Sequence, residues 1–222
     1  KNLEGISLKD RIKKLNNKQT NRSYIFSREK PINKKGGLII LFGSLAPDGA
    51  ILKRAAATSK FLEHEGKAIV FSSLKDLSKR IDNPNLKVSE KNILILKNAG
   101  PSSDAGMPEA GYLPIPKKLA KRGVKDMIRI SDARMSGTAF GTIVLHVTPE
   151  GTKRGPLAVV KTGDKIKLSE INKTIDLMIS KTEIEKRLKK LKIKDNKVPR
   201  GYKKLYLESV LPATQGCDFD FL

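Results

Sequence analysis

The chain never sustains an apolar run longer than a strand. "GLIILFG", "KAIVF", "NILILKN", "VKDMIRI", "TIVLHV", "PLAVVK", "DKIKLSEI" and "TIDLMIS" follow one another from Gly37 to Ser180, with Gly, Pro, Asn or Asp between them. Runs of this size, bounded by turn residues, suit β-strands and are too short to span a bilayer as helices. The strand-like runs therefore set the fold class.

In the first half they alternate with helix-like segments. Leu38 to Phe42 reads as a buried strand ending at Gly43, and "APDGA" supplies Pro47, Asp48 and Gly49 for a turn. "AAATSKFLEHEG" reads as a short helix with Phe61 and Leu62 inward and Gly66 as its stop. "SSLKDLSKRI" reads as a helix with Ser72 or Ser73 as N-cap and Leu74, Leu77 and Ile81 on one face, and "PKKLAKRG" as a helix stopped by Gly123. In the second half four strand-like runs cluster, the last two as a hairpin, and "SKTE" from Ser180 to Glu183 caps one more helix. No internal repeat is present. The order predicts an α+β fold with a mostly β, barrel-like core and flanking helices. Residues 1–35, polar and rich in Lys and Asn, read as a connecting arm, and 36–222 as the folded domain.

Composition removes several function classes. The 222 residues, 38% of them hydrophobic, suffice for one core. The N-terminal stretch lacks the apolar segment of a secretory signal, which points to a cytoplasmic protein. One cysteine, Cys217, and two histidines, His64 and His146, cannot form a disulfide framework, a zinc finger or a self-contained iron–sulfur site. The net charge of +22 invites a nucleic-acid reading. The lysines are dispersed, however, and no aromatic stacking motif or helix-turn-helix pattern accompanies them, so a solvated basic surface is the expectation.

Two loops carry chemistry-bearing residues. "NAGPSSDAGMPEAGYLPIP", Asn98 to Pro116, is long and nearly free of residues to bury, and such loops tend to be functional. Its one glutamate, Glu109, sits in a proline-stiffened stretch. It reads either as a metal ligand or as a solvent-facing side chain. "ISDARMSGTAFGT", Ile130 to Thr142, follows a strand directly, where α/β folds gather binding groups. Ser131, Asp132, Arg134 and Ser136, with Gly137, Thr138, Gly141 and Thr142, offer donors to an anion. The alternative is a Gly-rich turn capped by Asp132 and Ser131. The pattern is neither a Walker loop nor a nucleophile elbow.

In the order "LAPDGAILK", "NAGPSSDAGMPE", "ISDARMSGTAFGTIVLHVTPE" and "DFDFL", the sequence resembles the C-terminal half of the dihydroxy-acid and phosphogluconate dehydratase family. The resemblance runs from about Pro31 to Leu222, nearest to the sugar-acid branch that includes arabinonate dehydratases, with the branched-chain amino-acid branch second. It implies loss of water from a 2,3-dihydroxy acid to give a 2-keto acid, with Mg²⁺ and an iron–sulfur cluster as cofactors. It places the catalytic base on Ser136, a Mg²⁺ ligand on Glu109, and substrate contacts on Arg134, Gly137 and Thr138.

A serine is a poor base unless its alkoxide is stabilised by a nearby cation or donors. Asp48 is read as a turn former, and His64 and His146 as packing or surface residues. In the family the cluster cysteines and remaining Mg²⁺ ligands belong to an N-terminal domain, and this sequence contains none of them. The resemblance therefore implies a swivelling C-terminal domain, inactive alone, whose partners are that N-terminal domain in cis or in trans and a small hydroxy acid. It also implies a homo-oligomer at full length. Neither a membrane nor nucleic acid is expected as partner. The rival reading is a non-catalytic binding module that kept the fold.

Overall fold

The computed structural model describes residues 4–14, 24–104, 106–107, 113–134, 140–192 and 198–222. The chain divides into two units, 1–36 and 37–222. In the first, helix α1 (Leu8–Lys14) opens at Ser7, whose Oγ accepts from the Asp10 N–H at 3.1 Å. None of this unit's described residues is buried.

The second unit is built on one eight-stranded sheet. Its strands are β1 (Ile39–Leu41), β2 (Gly49–Leu52), β3 (Glu63–Phe71), β4 (Ile93–Leu96), β5 (Arg129–Ser131), β6 (Ile143–Thr148), β7 (Lys165–Ser169) and β8 (Thr174–Leu177). In space they run β1-β2-β6-β5-β4-β3-β7-β8. The central β6, β5, β4 and β3 are parallel, and the outer pairs are antiparallel. The sheet nearly closes on itself. The Phe42 N–H donates to Lys173 O at 3.0 Å, and the Phe42 carbonyl accepts from the Ile175 N–H at 2.8 Å. Parallel neighbours need crossovers, here carried by α2 (Leu74–Arg80) and α3 (Lys117–Ala120). Helices α4 (Lys181–Lys190) and α5 (Tyr202–Ser209) follow the sheet. This is the expected α+β, mostly β, barrel-like fold.

Strand β4 shows why a continuous apolar run was needed. Ile93 and Ile95 join the cluster inside the barrel with Leu41, Leu52 and Ile130, while Leu94 and Leu96 pack outward against Leu77 of α2 and Leu119 of α3. Both faces of the strand are buried, so its alternation is apolar on both sides. Ser73 caps α2 by accepting from the Asp76 N–H at 3.2 Å, Ser180 caps α4 by accepting from the Glu183 N–H at 3.1 Å, and β7 and β8 form the expected hairpin.

Three expectations are corrected. "AAATSKFLEHEG" is not a helix: it makes two 3-10 turns, Arg54–Ala56 and Ser59–Phe61, and then enters β3 at Glu63. Pairing of Glu63 to Lys67 with β7 supplies backbone partners that outweigh local helix propensity. Gly66 is thus a mid-strand residue; a Cβ there would sit 2.5 Å from Lys91 O. "PLAVVK" is a 3-10 turn over Pro156–Val159 rather than a strand, because Pro156 has no N–H to give a ladder. Leu38 to Phe42 is only half buried: Leu41 is inside, while Leu38, Ile40 and Phe42 are 65%, 57% and 51% exposed. Among the described residues no helix is long and apolar enough to cross a membrane.

Candidate functional site

Four parallel strands bring their C-terminal ends to one rim of the sheet. The loop that holds Glu109 leaves β4, and the segment that holds Ser136, Gly137 and Thr138 leaves the adjacent β5, with Leu96 and Ser131 in register where the two strands end. Glu109, Ser136, Gly137 and Thr138 themselves lie outside the described residues. Arg134 is described and exposed at the end of β5.

Asp132 is 1% exposed and joins three segments. Its Oδ1 accepts from the Ala99 N–H at 3.0 Å, at the start of the Glu109 loop, and its Oδ2 accepts from the Gly151 N–H at 2.9 Å, just past β6. Burial pushes its pKa up to about 6; the bonds from Gly151 and Ala99 pull against that rise, and the nearby Glu150 adds to it. Glu150 is itself 4% exposed and binds the same loop a little further along, accepting from the Ser102 N–H at 3.0 Å and the Ser102 hydroxyl at 2.7 Å. Ser131 Oγ accepts from the Ala133 N–H at 3.0 Å. The turn-capping alternative thus describes Ser131, whereas Asp132 ties strand ends together. Both carboxylates are occupied by N–H and O–H donors, so their role at the rim is structural.

The last segment of the chain backs the same loop. Tyr206 on α5 donates its hydroxyl to Gly106 O at 3.3 Å, Lys203 pairs with Asp104 at 2.8 Å, and Cys217 Sγ lies 3.7 Å from Met107 Sδ. Burial raises the Cys217 thiol pKa, with Glu150 adding to the effect, so at neutral pH it is not a thiolate. A lone protonated thiol packed on a thioether does not fit an iron–sulfur cluster. Among the described residues no group of three or more His, Cys, Asp and Glu side chains is arranged to hold a metal ion.

His64 packs edge-on against Phe61, with ring centroids 5.3 Å apart, in keeping with a packing role. His146 is less ordinary. It holds a left-handed backbone at φ 51°, its Nδ1 is buried without a hydrogen-bond partner among the described residues, and burial together with the Arg134 charge lowers its pKa, leaving a neutral ring at pH 7. Ser103 Oγ and Thr152 Oγ1, which follow β4 and β6 in sequence, are buried and also lack a partner among the described residues. Lys97, at the exit of β4, donates to Ala158 O and Val160 O, and burial lowers its pKa to about 8. It closes the 3-10 turn rather than facing solvent.

Sequence reading missed Asp126 and Arg129, placed inside the supposed strand "VKDMIRI". β5 spans only Arg129–Ser131, and the two side chains form a buried ion pair, 7% and 3% exposed, at 3.3 Å. Burial alone would raise the Asp126 pKa, but hydrogen bonds from Thr58 and Thr142 and the Arg129 charge outweigh it and hold the group below its ordinary value. The available signal was two opposite charges three apart in an otherwise apolar run.

A nearly closed α+β sheet whose parallel strand ends carry these two loops defines a class, and sequence comparison agrees with it. The family model described as dihydroxy-acid/6-phosphogluconate dehydratase C-terminal matches residues 23–217, and the chain belongs to that family. It is 42% identical, over 99% of its length, to the L-arabinonate dehydratase of Rhizobium leguminosarum bv. trifolii (strain WSM2304), covering 38% of that protein. It is 46% identical over 83% of its length to the 6-deoxy-6-sulfo-D-gluconate dehydratase of Pseudomonas putida, covering 32% of it. To the dihydroxy-acid dehydratase of Thermodesulfovibrio yellowstonii (strain ATCC 51303 / DSM 11347 / YP87) it is 37% identical over 96% of its length, covering 38% of it. The chain thus spans about a third of the length of these curated relatives.

Proposed function

We propose that this chain is the C-terminal part of a hydro-lyase that dehydrates a sugar acid of the aldonate type to a 2-keto-3-deoxy acid. The single observation that carries the reading is the adjacency of the two motif loops: they leave neighbouring parallel strands and are fastened at their starts by Asp132. The sugar-acid preference is supported by the relatives' names, since two sugar-acid dehydratases match at 42% and 46% identity and a dihydroxy-acid dehydratase at 37%.

The reaction removes a proton from C2 and hydroxide from C3, leaving an enol that becomes the 2-keto acid. In this reading Ser136 takes the C2 proton, and Arg134, Gly137 and Thr138 hold the anionic substrate. Glu109 would contribute one ligand to Mg²⁺, and the other ligands would come from outside this chain. Bound Mg²⁺ would stabilise the enolate oxygen. The iron–sulfur cluster of the reading would be held by an N-terminal domain in cis or in trans, because the cysteine content here does not provide for it, and no step is derived through it. A chain of this extent, by itself, would be inactive.

Intact mass of the native polypeptide comes first, to establish whether the cluster-bearing part is joined or separate. The assembled enzyme is then given aldonates and 2,3-dihydroxy-3-methyl acids, and 2-keto acid formation is followed. Turnover of aldonates, lost by about 10²–10⁴-fold in Ser136→Ala with the circular dichroism spectrum intact, is the expected result. Turnover only of the branched substrates would move the protein to the other branch. A fully active Ser136→Ala enzyme would remove Ser136 as the base.

A further inference from the structure

Asp132 and Glu150 fasten the beginning of the Glu109 loop, which leaves the far ends of both motif loops to be held by something else. The Arg129 guanidinium reaches both. Its Nη1 donates to Leu113 O at 3.3 Å, where the chain returns from the Glu109 loop, and its Nη2 donates to Phe140 O at 2.5 Å, where it returns from the Ser136 segment. In sequence each acceptor lies four residues beyond the motif residue, Leu113 after Glu109 and Phe140 after Ser136. Arg129 Nε donates to Met127 O at 3.2 Å, so the fork is anchored to its own strand.

Asp126 holds the guanidinium from the other side and is itself held: the Met127 N–H donates to its Oδ1 at 2.8 Å, and the Thr58 and Thr142 hydroxyls to its Oδ2 at 2.6 and 2.8 Å. Gly141 is shaped around the pair. With φ at +102°, a Cβ there would lie 2.2 Å from Arg129 Nη2 and 2.3 Å from Asp126 Oδ1. Breaking a buried ion pair is costly, and a planar fork that serves two carbonyls cannot be copied by an ammonium.

We propose that Arg129 is a positioning residue that sets the distance between the Glu109 loop and the Ser136 segment by binding the returning end of each. The inference rests on the functional reading above for its effect on turnover, and on geometry alone for its effect on the loops. A misplacement of about 1 Å at reacting groups can cost about 10²-fold in rate, which is what such a clamp prevents.

The native polypeptide that carries this sequence is compared with its Arg129→Lys and Gly141→Ala forms by amide hydrogen exchange and, in the assembled enzyme, by steady-state kinetics. Lysine keeps the charge opposite Asp126 but not the fork. Exchange is expected to rise about tenfold or more next to both Leu113 and Phe140, with the β4 amides unchanged, and kcat to fall about 10²-fold with KM little changed. Unchanged exchange, loosening of one loop only, or a loss confined to KM would overturn the proposal. If neither variant folds, the wild-type side chain decides. Separate, slowly exchanging Arg129 Hη signals by NMR support the clamp, and rapidly averaged ones refute it. Absence of any hydroxy-acid turnover in the wild type would remove the functional reading and leave the exchange result to judge the clamp.

Discussion

Asp132 is a carboxylate buried away from water, kept in place by two backbone N–H groups and set near a second carboxylate, Glu150. Its pKa of about 6 exceeds the ordinary 3.8, so between those values the folded chain binds a proton that the unfolded chain has released. Stability from this group therefore falls as pH rises through the window, and the full cost stands above about pH 6. Urea midpoints measured for wild type and Asp132→Asn should diverge, the wild type gaining about 1.3 kcal/mol relative to the variant as pH drops from 7 to 5. Parallel curves would mean that the carboxyl is not raised. Asp132 is legible in the sequence as a candidate because it follows a strand. What it binds was not, because its partners Ala99 and Gly151 are 33 and 19 residues away in sequence.

At the scale of elements, caps and close approaches decide how firmly each piece sits. Ser180→Ala removes the acceptor for the Glu183 N–H, and about 1 kcal/mol of stability, or about 2–4 °C in melting temperature, should go with it. Helix α4 would keep its tie to the barrel through Arg187, which pairs with Asp164 at 2.5 Å and donates to Val159 O at 3.2 Å. Gly66→Ala should cost more, about 1–3 kcal/mol, because the added methyl meets a backbone carbonyl that no rotamer change can move. A Gly66→Ala protein with an unchanged melting curve would show that β3 and the segment before β4 can separate freely. The caps at Ser73 and Ser180 and the β7–β8 hairpin were readable from local pattern. The β3 extension and the 3-10 turn at Pro156 were not, since strand pairing and burial override propensity over a few residues.

For the whole molecule the net charge of +22 is the dominant electrostatic fact. Like charges spread over one surface repel one another, and salt screens that repulsion within about 10 Å at 0.1 M. Melting temperature at pH 7 should therefore rise as salt is added from low ionic strength. A fall instead would mean that surface ion pairs such as Lys117 with Asp82 outweigh the net repulsion.

The sequence by itself determined the strand-sized apolar runs, the turns and caps between them, the α+β class, and the two motifs that mark the family. These are encoded within short continuous stretches of the chain, where periodicity and turn chemistry act. Only the tertiary structure decided the parallel order of β6, β5, β4 and β3, the three-residue length of β5, and the way Asp132, Glu150 and Arg129 fasten segments at one rim. Those contacts join residues far apart in the chain, and a buried charge reveals its purpose only when the groups that satisfy it have been brought around it.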